Sequence, residues 1–188
     1  PANLELRREL GLTHQNLAAV YSKLQRYSSA ADEYARAIAI QAQLVQAAPA
    51  QQSFRRDLAI SHNNRGLAFS RLKQPSSAIE SFQQAAELQR QLLSVSAGDA
   101  ALHSSLGSTL SNLGVAYSQV ADSAAAKQAY EAAISEQQQA VELAPENDRY
   151  QSLLAKHEAL LAALVRNSST RDNDDPAETQ PRRPEVTE

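Results

Sequence analysis

The apolar positions of the chain follow a helical period. Between Asn3 and Leu24, large residues recur at steps of three and four, which places them on one face of an amphipathic helix. The same spacing returns along the chain and predicts seven helices, over about residues 3–24, 29–47, 52–72, 76–95, 100–120, 123–143 and 148–165. Pro49 and Pro145 close the second and sixth helices, because proline cannot continue a helix.

The helical pattern repeats every 48 residues. A shift of 48 positions superimposes Leu10, Leu58 and Leu106, and it also aligns Asn16, Asn64, Asn112; Tyr21, Phe69, Tyr117; Ala30, Ala78, Ala126; and Tyr34, Phe82, Tyr130. A fixed period of this size indicates an array of repeats. We therefore predict an all-α repeat domain over residues 1–166, with helix pairs over about 3–50, 51–98 and 99–146 and a capping helix over 148–166.

Composition agrees with helices and sets the limits of the array. The chain of 188 residues is 43% hydrophobic and 5% aromatic, with much alanine and few glycines. Residues 167–188 are polar, contain three prolines and hold the net charge of −3, so we predict a disordered tail there. The chain starts at Pro1 and has no methionine, which favours a piece of a longer protein or a processed one.

Charge, apolar runs and cysteine content exclude several kinds of function. The body outside the tail has balanced charges, which does not suit nucleic acid. No apolar run is long enough for membrane insertion, so we expect a soluble protein and favour the cytoplasm. The chain has no cysteine, which excludes disulfides and thiol catalysis.

The repeated unit resembles a tetratricopeptide repeat. In the third unit Leu113-Gly114 and Tyr117 on the first helix precede Ala126, Tyr130 and Ala133 on the second; the equivalent residues are Arg65-Gly66, Phe69, Ala78, Phe82 and Ala85 in the second unit, and Leu17-Ala18, Tyr21, Ala30, Tyr34 and Ala37 in the first. The period departs from the family's usual value of about 34 residues. The added residues are compatible with about two more turns on each helix.

The resemblance implies a fold and a function. It implies a right-handed superhelical α-solenoid of three long helix pairs plus a terminal capping helix. It also implies a non-enzymatic protein–protein interaction scaffold, whose first helices line a concave groove for an extended peptide of a partner protein. Arrays of this longer period look like those appended to bacterial serine/threonine kinases and other signalling proteins. No cofactor is implied.

The candidate peptide-binding residues lie on the first helices, opposite their packing stripes. Asn16, Asn64 and Asn112 resemble an asparagine ladder that grips a peptide backbone, since an amide both donates and accepts hydrogen bonds. A solvated face, or an asparagine that satisfies neighbouring backbone groups, is the alternative. The other candidates are Gln15, Asn63, Ser22, Ser70, Ser118, Lys23, Arg71, Leu67 and Val115.

Other functions have weaker support in the sequence. No phosphate loop, zinc-protease motif or nucleophile elbow occurs, so we expect no enzyme. His14 and His62 share a repeat position and suggest either a metal pair or two packing residues; we favour packing, because no third ligand lies beside them. His103 and His157 are expected at the surface. A structural module that associates with itself, through the last helix or the first pair, is the second hypothesis, and the oligomeric state is open.

Overall fold

The residues that the structure describes form an array of α-helices. The structure is a computed structural model that describes residues 2–173, with the side chains of residues 3–167. Its seven helices are α1 (Ala2–Lys23), α2 (Tyr27–Ala47), α3 (Gln52–Arg71), α4 (Pro75–Leu93), α5 (Ala100–Gln119), α6 (Ser123–Leu143) and α7 (Asp148–Asn173). The predicted all-α fold is confirmed. The predicted boundary at residue 166 falls inside α7, and residues 174–188 of the predicted tail lie outside the described residues.

The helices pack in chain order. The pairs α1–α2, α3–α4 and α5–α6 form hairpins, and the second helix of each pair packs against the first helix of the next. The first helices α1, α3, α5 and α7 also contact one another in sequence. Each helix therefore has neighbours only from its own unit and the adjacent units, as in a stack of repeats.

An aromatic ring seated on a small residue fixes the distance between the helices of each hairpin. The ring of Phe82 on α4 lies over Gly66 on α3, where an added Cβ would be only 2.6 Å from the ring. Tyr130 covers Gly114 in the same way, at 2.7 Å. The first unit has the buried Ala18 in place of a glycine, in one cluster with Tyr34. The same rings also reach the next unit, since Phe82 shares a core with residues of α5.

The turn inside each hairpin is the same three-residue connection. Its second residue, Gln25, Lys73 or Ala121, has a positive φ of 57° to 60°. The residue after it donates its N–H to the carbonyl five positions earlier, for example Asp122 to Tyr117 at 3.1 Å. This is the Schellman arrangement, which usually has glycine at the left-handed position. None of the three turns has glycine there.

Ion pairs join successive units near the starts of the long first helices. Arg8 of α1 donates to Asp57 of α3 at 2.8 Å, and Arg56 of α3 donates to Asp99 at 3.1 Å. Asp99 also caps α5, because its carboxylate accepts the backbone N–H of Leu102. These contacts lie in the part of the unit that the longer period adds.

A buried glutamine occurs once in every second helix. Gln41, Gln89 and Gln137 share a repeat position, and all three are buried. Their side-chain amides donate to Gln15 Oε1 at 3.1 Å, Ser105 Oγ at 2.8 Å and the Tyr150 carbonyl at 3.0 Å, respectively. A repeated buried amide thus has a different acceptor in each unit.

Replacement of Gly66 by alanine should destabilise the protein. The new methyl group would overlap the Phe82 ring, and overpacking of this kind costs about 1–3 kcal/mol. Urea denaturation would measure the loss. Gly98→Ala is the control, because nothing lies within 4 Å of a Cβ built at Gly98. Equal stability of the two variants would show that the ring moves aside freely.

Ala121→Gly should stabilise the protein by about 1 kcal/mol, because glycine tolerates the left-handed conformation that costs alanine about that much. Thermal and urea unfolding would test it. Ala159→Gly, at an exposed position inside α7, should have the opposite effect, about 1 kcal/mol less stable. If both substitutions destabilise the protein, the turn does not strain its alanine.

Candidate functional site

Two cavities flank the C-terminal half of α3 and share Leu67 and Arg71. The first, of about 300 Å³, lies towards α1 and is lined by Ser22, Lys23, Tyr27, Leu67, Ala68 and Arg71. The second, of about 230 Å³, lies towards α5 and is lined by Leu67, Ser70, Arg71, Phe82, Asn112, Val115 and Gln119. We call these two cavities together the Leu67 surface.

Seven of the twelve predicted peptide-binding residues line the Leu67 surface: Ser22, Lys23, Leu67, Ser70, Arg71, Asn112 and Val115. The other five lie outside its lining: Gln15, Asn16, Asn63, Asn64 and Ser118. Tyr27, Ala68, Phe82 and Gln119 belong to the lining and were not among the predicted binding residues. Gln119 shares a repeat position with Lys23 and Arg71 and lies on the same predicted face of its helix.

Two predicted site amides hold neighbouring helices together. Gln15 Oε1 accepts hydrogen bonds from Ser61 Oγ of α3 at 2.9 Å and from Gln41 at 3.1 Å. Asn63 Oδ1, one unit later, accepts from Thr109 Oγ1 of α5 at 3.3 Å. The bonds from Ser61 and Thr109 run between first helices of successive units, and the bond from Gln41 runs within the first hairpin, so the acceptor oxygens of Gln15 and Asn63 are already used.

The tyrosine of the first unit forms a hydrogen bond with the asparagine of the second. The Tyr34 hydroxyl forms hydrogen bonds with Ser22 and with Asn64; burial raises the pKa of Tyr34, and these bonds oppose that rise. In the next unit Phe82 takes the place of Tyr34 and has no hydroxyl. Asn112 therefore lacks a phenol partner, and its half-buried amide forms no hydrogen bond among the described residues.

Positive charge concentrates on the Leu67 surface. Lys23 and Arg71 end α1 and α3, and both side chains are exposed. Neither forms an ion pair with any residue whose side chain the structure describes. Neither cavity has an acidic residue in its lining. The surface can thus attract a carboxylate.

The histidines occupy packing positions. His14 Nδ1 lies 2.6 Å from Glu33, whose other oxygen accepts from Arg36. His62 is half-buried, and burial, followed by the nearby charge of Arg65, lowers its pKa from 6.5 to about 4. No group of three or more potential metal ligands occurs among residues 3–167.

The expected surface position of His157 was wrong. Its side chain is only 1% exposed, and burial lowers its pKa. His157 shares a repeat position with Ser61 and Thr109, which are also buried. Alignment of that position at the period of 48 residues would have predicted the burial. His103 is bonded at both ring nitrogens, to Glu136 and to the Ala97 carbonyl.

The stacked hairpins define a helical repeat protein, and the sequence identifies the family. The tetratricopeptide-repeat family model matches three times, over residues 13–44, 59–92 and 107–139, which is just over half of the chain. The chain therefore belongs to the tetratricopeptide-repeat family. The stretches between the matches, 45–58 and 93–106, contain the end of one hairpin and the start of the next. Domains of this family are protein–protein interaction modules and are typically non-enzymatic.

Solved structures share the fold at low sequence identity. BtubC from P. vanneervenii is 21% identical, with a TM-score of 0.55, and the alignment covers 95% of this chain and 69% of that one. The Sgt2 TPR domain from Aspergillus fumigatus is 22% identical, with a TM-score of 0.52 and coverage of 93% and 90%. The first TPR of Spaghetti (RPAP3), bound to the HSP90 peptide SRMEEVD, is 22% identical, with a TM-score of 0.47 and coverage of 81% and 93%.

The comparison with curated proteins found no match. Within the described part of the chain, none of the helices combines the length and the apolar character needed to cross a bilayer.

Acid should destabilise the protein partly through His62. Its folded pKa lies below the unfolded value, so its neutral form contributes stability that is complete above pH 6.5 and is lost as the pH falls towards 4. His62→Leu introduces the residue that the third unit has at this position, the buried Leu110. The loss of unfolding free energy between pH 7 and pH 5 should shrink by on the order of 1 kcal/mol in this variant.

Denaturant titrations at the two pH values would measure that difference. Some acid sensitivity should persist in the variant, because burial also lowers the pKa of His157. Identical pH profiles for the native protein and the variant would show that His62 protonates without cost in the fold.

Proposed function

We propose that the chain binds an extended peptide segment of a partner protein on the Leu67 surface. The observation that carries this proposal is the Asn112 amide, which is half-buried, has no hydrogen-bond partner among the described residues, and lines a cavity beside Val115 and Leu67. A peptide backbone suits such a group, because the amide can donate to a carbonyl and accept from an N–H at once.

Leu67 and Val115 supply the apolar contacts. Leu67 lies on both cavities and is 40% exposed, so a ligand that spans α1, α3 and α5 would cover it. Burial of such a side chain favours binding by about 25 cal/mol per Å² of apolar area removed from water. These residues select apolar side chains in the ligand.

Lys23 and Arg71 select an acidic residue. Both side chains are exposed and form no ion pair among the described side chains. Both lie beside Leu67 in the lining of the first cavity. A carboxylate in the ligand would accept hydrogen bonds from Arg71 and attract Lys23. The preferred ligand is thus an extended segment that combines acidic and apolar side chains.

The three ladder asparagines are unequal in this proposal. Asn112 is the principal contact, because its amide lines a cavity and has no hydrogen-bond partner within the part of the chain that the structure describes. Asn16 is exposed and belongs to neither cavity lining. Asn64 already bonds Tyr34, so a ligand must compete for it. The hydroxyls of Ser70 and Ser118 donate to the carbonyls of Gly66 at 3.0 Å and Gly114 at 2.9 Å, so their hydrogens are already used.

Replacement of Asn112 by alanine should weaken peptide binding by about 0.5–1.5 kcal/mol, the usual value of one hydrogen bond, and leave stability nearly unchanged. A displayed library of short peptides would supply ligands, and isothermal titration of an enriched peptide would give affinities. Gln138→Ala, at an exposed position of α6, is the control. Binding that survives Asn112→Ala and Arg71→Glu undiminished would refute the site.

Phe82→Tyr tests the same site without loss of a contact residue. The new hydroxyl would lie where the Tyr130 hydroxyl lies in the next unit and would bond Ser70 and Asn112, as Tyr34 bonds Ser22 and Asn64. Peptide affinity should fall several-fold while the protein remains as stable as the native chain. Unchanged affinity would show that a free Asn112 amide is not needed.

A further inference from the structure

One helix face that the array buries in its second and third units is exposed in the first. The face comprises five positions of α1 and the residue after it: Leu6, Leu10, Thr13, Leu17, Val20 and Leu24. The equivalent positions of α3 and α5 pack against the second helix of the preceding unit. Nothing in the described residues covers the face on α1.

The contrast in exposure is large. The five apolar residues of the α1 face are 39% to 65% exposed. The corresponding Leu102, Leu106 and Leu113 on α5 are 7% exposed or less, and Phe54 and Leu58 on α3 are equally buried. The last position does not share this contrast with the third unit, because Val120, which corresponds to Leu24, is 41% exposed. The α1 face therefore has the composition of an interface that this array already forms twice.

We propose that the α1 face pairs with the α1 face of a second copy of the chain, in an antiparallel dimer. The six positions alternate in steps of four and three, which is the spacing of a coiled-coil seam. They are also symmetric about residue 15. When two copies run in opposite directions, Leu6 meets Leu24, Leu10 meets Val20, and Thr13 meets Leu17. A two-fold axis thus matches the face to itself.

Charges beside the seam fit the antiparallel direction. Glu9 and Lys23 flank the seam on the same side of α1, and both are exposed without an ion pair among the described side chains. Antiparallel pairing brings Glu9 of one copy beside Lys23 of the other, twice in the dimer. Asn16 lies at the centre of this side, opposite Asn16 of the second copy. In a parallel pair, Glu9 of one copy and Lys23 of the other would lie about 21 Å apart along the helix axis and could not pair.

The other end of the array does not offer a match for head-to-tail stacking. Among the residues whose side chains the structure describes, the outer side of α7 carries the exposed Ala155, Glu158, Ala159, Ala162 and Val165, and only Val165 of these five is large and apolar. A solvated surface of this kind suits a cap. The α1 face is therefore better matched by the α1 face of a second copy of the chain than by α7.

The dimer is tested by sedimentation of the full chain over a range of concentrations. The native chain should be dimeric, and Leu10→Glu should raise the dimer dissociation constant roughly a hundredfold or more, since each dimer buries the new charge twice. Leu143→Glu is the control, because Leu143 is comparably exposed and far from the seam in sequence. Circular dichroism would confirm that both variants remain helical.

A charge exchange tests the direction of pairing. Glu9→Lys and Lys23→Glu should each weaken the dimer about two- to fivefold, and the double variant should recover the native dissociation constant. The chain lacks cysteine, so single cysteines also report direction cleanly. A mixture of Thr13→Cys and Leu17→Cys should cross-link with a short bis-maleimide more efficiently than either variant alone.

If the native chain stays monomeric at every concentration, the dimer proposal is wrong. A helix from another chain segment would then be the remaining candidate to cover the α1 face. A dimer that survives Leu10→Glu overturns the proposal too. Lys23 belongs to both proposals, because it flanks the seam and also lines a cavity of the Leu67 surface. Asn112 and Arg71 lie outside the seam, so peptide titrations of Asn112→Ala and Arg71→Glu test the peptide site independently of the dimer.

Discussion

The seating of one aromatic ring on one small residue governs the geometry of the array. Phe82 on Gly66 and Tyr130 on Gly114 set how closely the helices of a hairpin approach, and Phe82 also packs in one core with residues of α5 in the next unit. A ring has fixed dimensions and a glycine offers no side chain, so this contact has little freedom. It determines where α1, α3 and α5 lie relative to one another, and therefore where the cavities beside Leu67 open.

The fold could be predicted from the sequence because its signal is periodic. Helix positions follow from apolar residues three and four apart, and their pairing follows from the exact return of that pattern after 48 residues. The observed helices start and end within two residues of the predicted bounds, apart from α7, which continues to Asn173. There the apolar pattern stops while the residues still permit a helix, so hydrophobic spacing gives no endpoint.

The site was less predictable, because exposure along a helix does not reveal which polar groups are already bonded. Gln15, Asn63 and Asn64 lie on the predicted helix face, yet their partners come from other helices: Ser61, Thr109 and Tyr34. Such bonds depend on the stagger between units, which spacing within one helix does not contain. The exchange of Tyr34 for Phe82 is visible in the sequence, but its effect on Asn112 appears only after the units are stacked.

The buried glutamines restrict the order in which the units can follow one another. Gln41 donates to a side-chain amide, Gln89 to a serine of the next unit, and Gln137 to a backbone carbonyl of α7. If two hairpins were exchanged, Gln41 would keep Gln15, which belongs to its own hairpin, but Gln89 and Gln137 would face foreign neighbours, and an unpaired buried donor is costly. Exchange of whole units by recombination is therefore restricted, because a unit is suited to its own position in the chain.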